Sequence, residues 1–137
     1  MSPLPDFPDP QAGVSPLLAV ADIYRALAFW VERIGAAIEV QWDSYALLRV
    51  GEGHLHLAVT GDPPPDRPVR LAPPRGNDHE VTGEVVIQVA DCRAVVDVLL
   101  QRGVEFLGPP ATPAWGGEVR AFLRDPDGHL VEISSPA

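Results

Sequence analysis

Short runs in which apolar side chains alternate with polar ones dominate the chain, and two longer stretches carry apolar residues at helical spacing. Residues 14–21 (VSPLLAVA) read as a strand leading to Asp22, which can accept the free N–H groups of a helix's first turn. Ile23, Leu27, Val31 and Ile34 then recur at spacings of four, four and three, the stripe of a helix with one face on a core. Phe29 and Trp30 flank that stripe, Trp30 as a helix–sheet packing residue. Arg33 falls in the last turn, and Gly35 suits the position just past its end. Three strands are expected next, over residues 36–41, 45–50 and 54–60, separated by the turn residues Asp43-Ser44 and Gly51-Glu52-Gly53. The order is β-α-β-β-β.

The same order then returns. Residues 84–90 (EVVIQVA) predict a strand, Asp91 a cap, and Val95 and Leu99, with Val98 and Leu100 beside them, a second helix closed by Arg102-Gly103. Strands over 104–107 (VEFL), 119–123 and 129–134 complete the set, the last two joined by the turn Asp125-Pro126-Asp127-Gly128. Letters repeat as well as pattern. Val20-Ala21-Asp22 recurs as Val89-Ala90-Asp91, 69 positions on, and Leu48-Arg49-x-x-x-Gly53-His54-Leu55 recurs as Leu123-Arg124-x-x-x-Gly128-His129-Leu130, 75 positions on. Two copies of one supersecondary unit predict a pseudo-symmetric fold. In the last strand Val131 and Ile133 are core residues, so Glu132, with Leu130 and Ser134, points to the opposite face; His129 is expected at the strand's exposed start.

Composition sharpens this picture in a few places. The 16 prolines cluster, five within residues 1–16 and six within 61–78, which marks 1–13 as an arm and 61–82 as a linker between modules at 14–60 and 83–137. His79-Glu80 is expected in a solvated part of that linker. A length of 137 residues suits one domain or two small modules sharing a core. No apolar run approaches the ~20 residues of a membrane span, and the start lacks a signal-peptide pattern, so the expected location is the cytoplasm. The one cysteine, Cys92, excludes an intrachain disulfide and reads as a bystander. A formal charge of −9 disfavours nucleic acid and mildly favours cationic ligands.

Val-Ala-Asp before a helix bearing Ala-Phe-Trp, the Arg-Ile-Gly helix end, and the closing Asp-Pro-Asp-Gly-His-Leu-Val-Glu-Ile resemble the vicinal oxygen chelate superfamily. That superfamily includes glyoxalase I, bleomycin-resistance proteins, fosfomycin-resistance enzymes and extradiol dioxygenases. The resemblance implies an α+β fold of two βαβββ modules whose strands form a cup-shaped mixed sheet around a cavity, usually completed in a homodimer. It also implies metal-ligand positions at the start of each module's first strand and near the end of its last. Those starts fall on Ser15 and Glu84, and the C-terminal carboxylate on Glu132. Ser15 departs from the family, because a neutral hydroxyl is a poor ligand for a divalent ion.

The remaining position depends on register. The 75-residue offset taken literally pairs His56 with Val131, whereas the apolar face formed by Leu55, Leu57 and Val59 puts His56 on the cavity side, opposite Glu132. With that second alignment His56, Glu84 and Glu132 would hold Ni, Zn, Mn or Mg, and Glu132 or Glu84 would be the catalytic base of a glyoxalase-type lyase or isomerase. The favoured expectation is a protein of the bleomycin-resistance type that binds a small organic molecule, a cation among the candidates, with no cofactor. Its candidate ligand residues are Trp115, Gly116, Trp42, Glu84, Glu132 and Gln88, with Trp115 stacking on a planar or cationic group or else plugging the domain edge.

Overall fold

Strand β1 (Leu17–Val20) runs into helix α1 (Ile23–Leu27), and strands β2 (Ala37–Trp42), β3 (Tyr45–Val50) and β4 (Gly53–Val59) follow. The second half places β5 (Val85–Gln88), α2 (Cys92–Gln101), β6 (Glu118–Arg124) and β7 (Leu130–Pro136) in a matching order that is one strand short. The computed structural model describes residues 4–75 and 79–137; residues 1–3 of the expected arm and 76–78 of the expected linker lie outside them. The first sheet has the order β1-β4-β3-β2 and the second β5-β7-β6, with β1 and β5 each parallel to the last strand of its own module. Both helices start on the caps read from the sequence. Asp22 Oδ1 accepts the Tyr24 and Arg25 N–H groups at 2.8 and 3.2 Å, and Asp91 Oδ1 accepts that of Ala94 at 3.1 Å.

Three expectations about the elements need correction. Helix α1 continues as a wider, π-type turn over Ala28–Ile34, so the stripe rotates: Ile23, Ala26, Leu27 and Trp30 are buried, whereas Val31 and Ile34 are only partly so. In α2 the buried set is Cys92, Val96 and Leu99, and Val98 and Leu100 face outwards. Ile23, Leu27 and Trp30 thus correspond to Cys92, Val96 and Leu99 at the 69-residue offset, and Cys92 is a core side chain whose thiol is pushed up by burial. Finally, residues 104–107 form no strand. The chain there touches β6 only through isolated bridges at Phe106–Leu123 and Ala111–Arg120. Between them lie Pro109 and Pro110, which have no N–H to add to a ladder.

The helix-facing sides of both modules meet in one core that includes Trp30, Leu48, Leu57, Leu99, Leu123 and Ile133. At its edge the helix ends exchange bonds across the pseudo-symmetry: Arg33 Nη1 donates to the Arg102 carbonyl, and Arg102 Nη1 to the Arg33 carbonyl at 3.0 Å. Gly103, at φ +82°, leaves room for this, since a methyl group there would collide with the Arg33 guanidinium. Gly103→Ala is therefore expected to cost about 2 kcal/mol, combining left-handed strain with a displaced arginine, as checked by urea unfolding.

The turn after β6 joins the modules. Strand β1 is an edge strand, and its free groups are taken by side chains: the Ala21 N–H donates to Asp127 Oδ1 at 2.8 Å, and the Ala19 carbonyl lies 2.7 Å from His129 Nε2. His129 is thus half-buried at the module junction, not at an exposed strand start. Arg25 also donates to Asp127 Oδ1 at 2.7 Å. Asp125 accepts the Asp127 and His129 N–H groups and the Trp30 indole N–H, the last at 3.3 Å. Burial raises the Asp125 carboxyl above its usual range, opposed by His129. At the pseudo-equivalent junction Glu52 and His54 do not close on β5. His54 lies 3.4 Å from Glu39 instead, and a cleft of about 980 Å³ runs along β5, lined in part by Ser15, Glu52, His54 and Gln88.

Candidate functional site

Strand pairing settles which residues are equivalent. Leu17 pairs with His56 in the first module and Val86 with Glu132 in the second, and Val86 lies 69 positions after Leu17, the same offset as the capping aspartates. His56 and Glu132 therefore occupy the same place in their modules. Alternation sends both to the face opposite the core side chains Leu55 and Leu57 in one case and Val131 and Ile133 in the other.

Each module carries a polar pair at this place. In the first, His56 is held on both ring nitrogens, with Ser15 Oγ 2.9 Å from Nε2 and Tyr45 Oη 2.6 Å from Nδ1. Tyr45 continues to Trp42, ring centroids 5.5 Å apart, and Trp42 is 66% exposed. Ser15, excluded above as a metal ligand, is the residue that orients His56. In the second module Glu132 is buried, with 7% of its surface exposed, and is hydrogen-bonded to the more exposed Glu84. A hydrogen bond between two carboxyl groups needs a proton on one of them. The buried one holds it: loss of solvation first, then the hydrogen bond and charge of Glu84, push Glu132 from 4.5 up to about 7, with Arg120 pulling the other way.

Arg120 and Phe122 extend this face across β6. Phe122 pairs with Glu132 and Arg120 with Ser134. The Arg120 guanidinium lies over the Trp115 ring at 4.8 Å and the Phe122 ring at 5.1 Å, so Trp115 is neither an edge plug nor an empty stacking surface. Trp115 is 69% exposed, and Gly116 and Gly117 behind it adopt φ of 71° and 80°. Gln88 is exposed on β5 and lines the cleft. Beside Phe122 a further cavity of about 430 Å³ is lined by Leu107, Pro109, Leu130, Arg124 and His79, which is exposed there. Arg120 and Tyr45 are the site residues that sequence reading missed. Strand parity was the available signal, since Arg120 and Phe122 alternate with the core residues Ala121 and Leu123, and Tyr45 alternates with Ala46.

The expected metal triad is not assembled. Glu84 and Glu132 come together, but His56 belongs to the other sheet and spends both ring nitrogens on Ser15 and Tyr45. Among the described residues, no three His, Cys, Asp or Glu side chains are grouped to hold a metal ion. Within one chain the described residues thus bring together two of the three expected ligands, Glu84 and Glu132.

Paired modules of the βαβββ type, the second with one strand reduced to isolated bridges, and a polar pair on each cup face define a glyoxalase-like protein. The chain belongs to the Glyoxalase/Bleomycin resistance protein/Dioxygenase superfamily, whose family model matches residues 14–133. It is 25% identical over 116 residues to glutathione transferase FosA of Serratia marcescens, covering 85% of this chain and 74% of that protein. Among solved structures it resembles a glyoxalase/bleomycin resistance protein/dioxygenase from Nocardioides, with a TM-score of 0.74 at 18% identity over 95% of this chain and 87% of the other. It also resembles a bleomycin-binding protein in complex with bleomycin, with a TM-score of 0.68 at 19% identity over 91% and 98% of the two chains. No described helix is long and apolar enough to cross a membrane.

Proposed function

We propose that the chain binds a small organic molecule on the cup face of its second module, without a metal, as a homodimer. The observation that carries this reading is Glu132: a buried carboxyl that keeps its proton up to about pH 7, set between Glu84 on one strand and the aromatic-bound Arg120 on the other. Such a group is costly to bury, and its position on the cup face instead of the core suits ligand recognition better than folding. Trp115 and Gly116 border the site, and Gln88 and Glu84 offer hydrogen bonds along β5. Dimer formation is supported by the exposure of both cup faces. Trp42 at 66%, Trp115 at 69% and Val86 at 46% are large apolar surfaces to leave in water, and a two-fold dimer that sets each first-module face on the partner's second-module face would cover them.

A second reading is favoured by the same carboxyl. A group that titrates near 7 can take and return a proton at neutral pH, which suits Glu132 and Glu84 to acid–base chemistry in a lyase or isomerase acting on vicinal oxygens. Metal analysis of protein purified without chelator or affinity tag separates the two. The binding reading predicts substoichiometric metal and ligand binding that survives exhaustive chelation. Stoichiometric Ni, Zn or Mn that is lost in His56→Ala would overturn it.

A further inference from the structure

Two features of the second-module face are not explained by a generic binding cup. The first is the state of Arg120. Among the described residues its guanidinium makes no side-chain hydrogen bond or close ion pair, although Trp115 and Phe122 lie against it and fix its position. A guanidinium held by its faces still presents its N–H groups at the edge, in the planar fork that matches a carboxylate. The second is the cavity of about 430 Å³ lined by Phe122, with Leu107, Pro109 and Leu130 in its walls beside Arg124 and His79. An anion receptor and an apolar pocket therefore share one aromatic ring.

Resting on the binding reading above, we propose that the ligand is an organic carboxylate with a flat apolar body: Arg120 takes the carboxylate and the pocket beside Phe122 takes the body. A cation is the poorer candidate for this face. Arg120 already lies against the Trp115 ring, and a second cation there would sit near a like charge. The chain's net charge of −9 opposes an anion at long range. Salt screens that field within about 8 Å, so the nearby arginines decide, Arg120 at the Phe122 ring and Arg124 in the pocket wall. Glu84 and Glu118 carry the opposing charge on this face, whereas Glu132 adds none while it is protonated, because a neutral carboxyl donates a hydrogen bond.

The test is calorimetric titration of the full chain with benzoate and 2-naphthoate, each beside its amide and its amine. Carboxylates are expected to bind about tenfold or more tightly than their amides, the size of one charge-assisted hydrogen-bonded pair. The amines should bind least. The preference should disappear in Arg120→Gln and persist in part in Arg120→Lys. In the wild type it should weaken as pH rises through 7, because Glu132 then ionises beside the anion. The amide comparison needs no variant, so the outcome stands even if Arg120→Gln fails to fold. Amides or amines binding as tightly as carboxylates would overturn the carboxylate assignment and leave the binding reading intact. Absence of saturable binding for all three classes would overturn both.

Discussion

Replacing Trp30 with alanine is expected to remove about 4 kcal/mol of folding stability, measured as a lower urea midpoint at unchanged slope. Trp30 is fully buried and is the largest such side chain, and it sits where the π-type turn of the first helix meets the second module. Its ring packs edge-on against Phe29, with centroids 5.4 Å apart. Its indole N–H donates to Asp125, which orders the turn holding Asp127 and His129 against β1. The alanine variant thus opens a cavity and leaves a buried carboxylate oxygen without a donor. Trp30→Phe separates the two effects. It keeps most of the volume and loses only the N–H, so about 1–2 kcal/mol is expected. A loss below about 1 kcal/mol in Trp30→Ala would mean that the shared core is not organised on this residue.

The second large effect concerns Glu132 and depends on pH. Glu132→Gln is expected to be more stable than the wild type at about pH 8, by on the order of 2–3 kcal/mol, and equal to it under acid conditions. In the unfolded chain the carboxyl loses its proton near the ordinary value of 4.5, whereas the folded chain keeps it until about 7. Between those values the folded state binds more protons, so wild-type stability falls as pH rises and levels off above 7. Below 4.5 both states are protonated and the group contributes no difference. Glutamine stays neutral throughout and still offers Glu84 a donor. Chemical denaturation of both proteins across this range reads the effect. A stability difference that does not change between these pH values would show that Glu132 ionises normally in the fold.

The module repeat was legible because it rests on local signals: two capping aspartates at one offset, alternating strands, and glycine at the turns. Glu132 could be assigned to a cup face for the same reason, since Val131 and Ile133 had to be core. What the pattern missed was set by tertiary contacts. Trp30 took the central place of the stripe from Val31 and Ile34 because the helix widens after Leu27, and no spacing rule anticipates a π-type turn. The expected strand at 104–107 failed because Pro109 and Pro110 cut the ladder that would have continued it. His129 shares the parity of core residues, yet its destination, the free edge of β1, depends on how two sheets meet. Arg120 was passed over as one polar position in a strand of β-formers. Only the fold shows that Trp115, from a loop, lies against it.

The most direct test of the account is a backbone amide map of binding, recorded by NMR on the full chain titrated with a mixed set of small aromatic carboxylates, amides and amines. The account predicts that saturable shifts begin on the second-module face, at residues 84–88, 115–122 and 130–134, and that they are lost in Glu132→Ala with the rest of the spectrum retained. Saturable shifts confined to the helices, or to residues 51–55, would contradict it.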